Sequence, residues 1–145
     1  MPALWTIGYE RLLPPALVAE LQAAGVERVI DVRFRPQSRR PGMSKTRLGD
    51  LLAAHGIAYE HRKSLGTPPD LRHDFHAGRI EQARAGYRAH VESTAPGALD
   101  ELAGELENGP LTALLCLEED PAGCHRRVLC EALAERLPAL EVVDL

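Results

Sequence analysis

A cysteine, a histidine and two arginines stand in a row at Cys124-His125-Arg126-Arg127, directly after Gly123 and at the head of an amphipathic stretch that runs to Leu137. The start of a helix exposes unpaired backbone N–H groups and the positive end of the helix dipole, which attract an anion or stabilise a thiolate. Cys124 is therefore the leading candidate nucleophile. His125, of a residue type that titrates near neutrality, is a candidate general acid or base. Packing is the competing reading, because cysteine is among the most buried residue types, and His125 can equally cap neighbouring carbonyls. Cys116, within an apolar run, and Cys130, within the amphipathic stretch, read as core residues.

A second group precedes it. Asp31-Val32-Arg33 opens a run in which Arg33, Arg35, Arg39, Arg40, Lys45 and Arg47 are uninterrupted by any acidic residue. Such a run is usually a solvated face. Here it follows an apolar stretch whose last polar residue is Asp31, which favours a lid or clamp for a phosphate or another anionic ligand, and nucleic acid fits too. Asp31, Glu118, Glu119 and Asp120 are the carboxylates available near these arginines. Arg126 either clamps ligand charge or bridges Asp31 or Glu118 as a structural ion pair. Cys116, Cys124 and His125, with Asp31 or Glu118 as a fourth, are also conceivable zinc ligands, but the spacing is not a standard one and adjacent Cys124 and His125 reach one ion awkwardly. No metal is expected. Neither a GxxxxGK[ST] nor a GxGxxG loop occurs, so no nucleotide cofactor of those classes is expected either.

These residues need elements to hold them. Leu4–Gly8 reads as a strand, Pro14-Pro15 opens a helix that Gly25 stops, and 29–32 is a second strand; strand, helix, strand at this spacing predicts a right-handed crossover and a parallel sheet. Residues 33–42 read as a loop, and Ser44 as the cap of a helix through Leu48, Leu51 and Leu52 that ends at Gly56. Ile57–Glu60 reads as a third strand. Residues 62–78 read as an irregular connection. Helical periodicity returns over Ile80–Val91 and Ala98–Leu106. Leu111–Leu117 is almost continuously apolar, as befits a central strand covered on both faces. A turn over 120–123, the helix from His125 and a final strand over Glu141–Asp144 complete a three-layer α/β sandwich with a mostly parallel sheet, in one domain. In such sheets ligands bind beyond the carboxyl ends of the strands, which selects Gly8-Tyr9, Asp31 to Arg40 and Cys116 to Arg127.

The bulk numbers agree. The 145 residues, 45% hydrophobic and 26% charged, fit one globular domain with a packed core. The net charge of -4 speaks against a general nucleic-acid binder, but it divides unevenly: residues 1–72 hold 11 Lys+Arg and 7 Asp+Glu, residues 73–145 hold 6 and 14. No apolar run approaches the roughly 18 residues of a membrane span, and no basic-then-apolar leader opens the chain. Three cysteines, an odd number, argue for reduced thiols and a cytoplasmic setting.

Thr6-Ile7-Gly8-Tyr9, Asp31-Val32-Arg33 with Pro36 and Ser38, Gly56-Ile57-Ala58-Tyr59 with Leu65-Gly66, and Leu115-Cys116-Leu117-Glu118 leading to Cys124-His125-Arg126 together resemble the bacterial and archaeal family catalogued as domain of unknown function 488. Tyr9, in place of His or Asn, and Thr67, in place of a second glycine, depart from that pattern. The resemblance implies a compact α/β fold and a site built from Asp31, Arg33, Ser38, Glu118, Cys124, His125 and Arg126, and it assigns no activity. Two functions follow from the residues. One is a small enzyme in which Cys124, His125, Glu118 and Asp31 act on an anionic, phosphate-bearing or nucleotide-derived substrate held by Tyr9, Arg33, Ser38 and Arg126. The other is a binding module for nucleic acid or a phosphate-bearing ligand, without chemistry.

Overall fold

The computed structural model describes residues 2–118, 120 and 123–145. Glu119, and Pro121 and Ala122 of the expected turn, lie outside the described residues. The elements run β1 (Ala3–Gly8), α1 (Pro14–Ala24), β2 (Arg28–Asp31), α2 (Lys45–Ala54), β3 (Ala58–His61), a 3-10 turn (Lys63–Leu65), α3 (Pro69–His76), α4 (Ile80–Thr94), α5 (Pro96–Asn108), β4 (Thr112–Cys116), α6 (His125–Arg136) and β5 (Glu141–Asp144). Proline starts α1, where its missing N–H costs nothing, and Gly25 stops it with φ 77°.

All five strands are parallel, in the order β3-β2-β4-β1-β5. The apolar run read as a central strand is β4, buried at every position and flanked by β2 and β1. The edge strands β3 and β5 alternate or expose their residues, as edges facing water do. The crossovers through α1 and α2 step toward the β3 edge, whereas those through α3–α5 and through α6 step back toward β5. With right-handed connections, the two directions put their helices on opposite faces. Packing agrees: Leu17, Leu21, Leu48 and Leu52 of α1 and α2 cluster with Ile7, Val29, Ala113 and Leu115. Tyr87, Leu99, Leu102, Val128 and Leu129 of α4, α5 and α6 cluster with Leu4, Ile30, Leu114 and Cys116. The fold is the three-layer α/β sandwich that the sequence predicts.

Two local expectations change. Residues 62–78 are not irregular throughout, since α3 occupies half of them. Ser44 stands at the start of α2, but its hydroxyl does not cap the helix; it accepts from the Ser38 N–H at 3.0 Å and donates to the Ser38 carbonyl at 3.3 Å. Among the described residues no helix is long and apolar enough to cross a membrane.

Candidate active site

The direction of the crossovers reverses between β2 and β4, so the chain leaves these adjacent strands toward opposite faces. A crevice must open at their carboxyl ends. Alternation along β4 sends Leu115 toward α1 and α2 and Cys116 toward α6. Cys116 thereby meets Cys124, the residue that precedes α6.

The two sulfurs lie 2.7 Å apart. Cys116 Sγ also donates to Glu118 Oε2 at 3.4 Å, and Glu118 Oε1 is 3.3 Å from His76 Nε2. His125 Nε2 donates to the Val32 carbonyl at 2.7 Å, which turns Nδ1 toward Cys124 Sγ, 3.4 Å away. The edge of the Tyr87 ring packs on the same imidazole at 5.1 Å. Burial opposes ionisation of Cys124, but hydrogen bonding by Cys116 together with the charges of His125 and Arg126 outweighs it, and the thiol is held well below its ordinary range. Burial pushes Cys116 up, and its hydrogen bond to Cys124 adds to that. For His125 burial favours the neutral ring, yet the neighbouring Cys124 thiolate raises its pKa. The surroundings thus favour the ionised form of Cys124 and the thiol form of Cys116. Cys130, buried deeper in α6, is pushed up to about 12 by desolvation.

Asp31 and Arg33, at the end of β2, are committed to each other. The fully buried Asp31 carboxylate accepts from Arg33 Nε at 2.9 Å and Nη2 at 2.7 Å, from the Arg33 N–H at 3.1 Å, and from the Tyr59 hydroxyl. Arg33 Nη1 donates to the Met43 carbonyl at 2.7 Å and to the Tyr9 hydroxyl at 3.2 Å, and its guanidinium stacks over the Tyr9 ring. Burial and the Asp31 carboxylate both hold the Tyr59 phenol protonated. Arg40 is consumed as well, donating to the carbonyls of Tyr9, Glu10 and Leu12.

Above the sulfurs is a small cavity of ≈ 40 Å³ that opens to solvent. Cys116, Glu118, Cys124 and His125 line it from the sheet side, Tyr9, Arg33, Phe34, Thr67 and Phe75 form walls, and the exposed Arg35, Gln37 and Arg72 stand at its mouth. The side chains of Arg35 and Arg72 make no hydrogen bond or ion pair among the described residues, and an adjoining depression continues past them to His73 and His76. Gly66 makes this wall possible: a Cβ there would stand 2.5 Å from Phe34 Cα, so only glycine lets the segment after β3 touch the loop after β2. Next to it, the Thr67 hydroxyl is buried at 5% exposure with no hydrogen-bond partner among the described residues. A buried hydroxyl left unpaired costs about 1–3 kcal/mol.

Of the expected site residues, Cys124, His125, Glu118, Arg33 and Tyr9 come together on this cavity. Asp31 lies behind it, holding Arg33. Arg126 is 1% exposed and lies behind the sulfurs, donating to the Glu118 carbonyl at 2.5 Å. Ser38 is elsewhere, tying Arg40 N–H and Ser44 within the basic loop. Cys116, read as core, is buried but faces the site, which the period-two alternation along β4 toward the helix that Cys124 starts would have signalled. Thr67, Arg72 and Phe75 belong to the stretch read as irregular; Pro68-Pro69 followed by Asp70 is the helix-start signal that would have placed them.

A metal fits this pocket poorly. Donor atoms of Cys116, Glu118 and Cys124 lie within 4.8 Å of one another, but His125 does not join them. Two thiolates on one tetrahedral zinc stand about 3.8 Å apart, given Zn–S of about 2.3 Å, against 2.7 Å here.

No curated protein and no solved structure matches the chain. The cavity walls fall almost wholly within the residues that one family model matches, 15–133, which run from α1 through α6 and include Asp31, Arg33, Cys116, Glu118, Cys124, His125 and Arg126. On that match, the chain belongs to the family described as Domain of unknown function DUF488.

Proposed function

We propose that this protein is a cysteine-dependent enzyme in which the Cys124 thiolate attacks an anionic, phosphate-bearing or nucleotide-derived substrate held at the cavity mouth by Arg35 and Arg72. The carrying observation is the setting of Cys124 at a helix start on the floor of a cavity, beside His125 and in front of Arg126. A thiolate there is nucleophilic, and His125 is placed to return a proton to the leaving group. Arg33 shapes the wall instead of clamping substrate, since Asp31 neutralises it. The three free, buried thiols suit a reducing, cytoplasmic setting.

Alkylation by iodoacetamide tests the reading. Cys124 should react at neutral pH at the rate it shows at pH 9, and millimolar inorganic phosphate should slow the reaction. Replacing Arg35 and Arg72 together by glutamate should remove the phosphate protection. A thiol that reacts only above pH 8, at a rate indifferent to phosphate, would refute it.

One observation favours the alternative of a nucleic-acid-binding module. Arg39, Lys45 and Arg47 are exposed and line a shallow depression of the basic loop, and their side chains make no hydrogen bond or ion pair among the described residues. Under that reading oligonucleotide binding weakens steeply with salt and is unchanged by Cys124→Ser.

A further inference from the structure

The pair of sulfurs at the cavity floor is the feature the substrate reading leaves unused. A separation of 2.7 Å is closer than non-bonded heavy atoms settle, about 3.5–4.0 Å for carbons, and little beyond a disulfide bond of about 2.05 Å. Both residues line the cavity and sit at element ends, one closing β4 and one preceding α6. The surroundings of the two differ: His125 Nδ1 approaches Cys124, whereas the Glu118 carboxylate accepts from Cys116.

We propose that Cys116 and Cys124 form a dithiol–disulfide couple that reduces a small anionic disulfide, with Cys124 attacking, Cys116 resolving and Glu118 taking the proton from Cys116. The inference rests on the assignment of Cys124 as nucleophile and of Arg35 and Arg72 as the anion contacts. In the first step Cys124 Sγ attacks one sulfur of the substrate disulfide. A mixed disulfide forms, the substrate S–S bond breaks, and the departing thiolate takes the proton from His125. In the second step Cys116 yields its proton to Glu118 and attacks Cys124 Sγ. The Cys116–Cys124 bond forms, the mixed disulfide breaks, and the second substrate thiolate leaves with the proton from Glu118. The substrate gains two electrons and two protons, the pair loses them, and an external dithiol restores the pair. Cytosolic disulfides are typically transient and catalytic in this way.

The test uses the whole reduced protein with glutathione disulfide, whose carboxylates supply the anionic groups, and bis(2-hydroxyethyl) disulfide as a neutral counterpart. Glutathione disulfide should lower the intact mass by about 2 Da, the two hydrogens lost on forming one S–S bond, and peptide mapping should link Cys116 to Cys124 with Cys130 still a thiol. Cys116→Ser should instead accumulate a glutathione adduct on Cys124. Glu118→Gln should form the mixed disulfide normally but close it at least tenfold more slowly. The neutral disulfide should react at least tenfold more slowly, an advantage lost at high salt. The couple is overturned if wild-type protein stops at the mixed disulfide, links a different pair, or keeps all three thiols while phosphate-protected alkylation of Cys124 proceeds; that last pattern leaves the cysteine nucleophile standing. Equal rates with both disulfides overturn the anionic substrate class. Absence of rapid alkylation as well would refute the nucleophile itself.

Discussion

A single residue separates Asp31 from Arg33, and their roles are settled by what surrounds them. The aspartate accepts two donors from the guanidinium and one from Tyr59 in a place closed to water, so the pair is a girder of the site and not a free clamp. Removing one member leaves the other charge buried. Asp31→Asn should therefore destabilise the fold by about 3–5 kcal/mol in denaturant unfolding, whereas most exposed substitutions stay within about 0.5. Tyr59→Phe removes only one donor and should cost on the order of 1 kcal/mol. Which residues gather at the cavity was legible in part: Cys124, His125 and Glu118, read together from the sequence, line it. Pairings were not, because a guanidinium two positions from a carboxylate can turn to it or to a ligand, and only the positions of Met43 and Tyr9 decide. The thiolate has a pH signature with a fixed sign. With the Cys124 pKa lowered, its alkylation should stay flat through neutrality and fall as acid protonates the sulfur. His125→Asn takes away the imidazolium, so the fall should move to higher pH, read from the rate profile.

At the scale of elements, the segment between β3 and α4 matters most, because it supplies one wall of the cavity. Gly66→Ala pushes a methyl group into Phe34 backbone, which cannot swing aside as a side-chain tip would. The expected loss is about 1–3 kcal/mol, and phosphate protection of Cys124 should vanish even where the variant stays folded, a thermal melt and the alkylation assay separating the two. The sequence hid α3 because it is only eight residues long and starts among prolines that also read as a turn. Longer helices, with apolar residues at regular spacing, were plain. A second joint is Glu105 of α5, which accepts from Arg28 of β2 at 2.6 Å and from Arg62, just past β3, at 2.7 Å. These donors, Arg62 foremost, lower its pKa from 4.5 to about 2. A depressed carboxylate stabilises above its unfolded pKa and loses that contribution as pH falls through the folded one. Glu105→Gln should thus be less stable than the parent at pH 7, and the gap should close between about 4.5 and 2 when melting temperature is followed against pH.

For the whole molecule, alternation of strand and helix was enough to foresee a parallel sheet, and the unbroken apolar run of residues 111–117 marked its middle strand. Strand order was out of reach, since it depends on which helices pack together far along the chain. The charge imbalance between the two halves of the sequence also acquires a reason: arginines of the first half, Arg28 and Arg62, close on Glu105 of the second, and Arg84 and Arg136 find Glu131 and Asp100 within it. The order β3-β2-β4-β1-β5 has a temporal side too. Among the described residues β1 pairs with β4 and β5, so it has no sheet neighbour until more than a hundred further residues have left the ribosome. A nascent chain ending at residue 110 holds one strand pair, β2 with β3, and an open gap where the middle of the sheet belongs. Such a chain should stay protease-sensitive on stalled ribosomes and become resistant only when the residues of α6 emerge. Because the sulfurs at 116 and 124 arrive with that closing step, the proposed nucleophile and the fold around it are completed together.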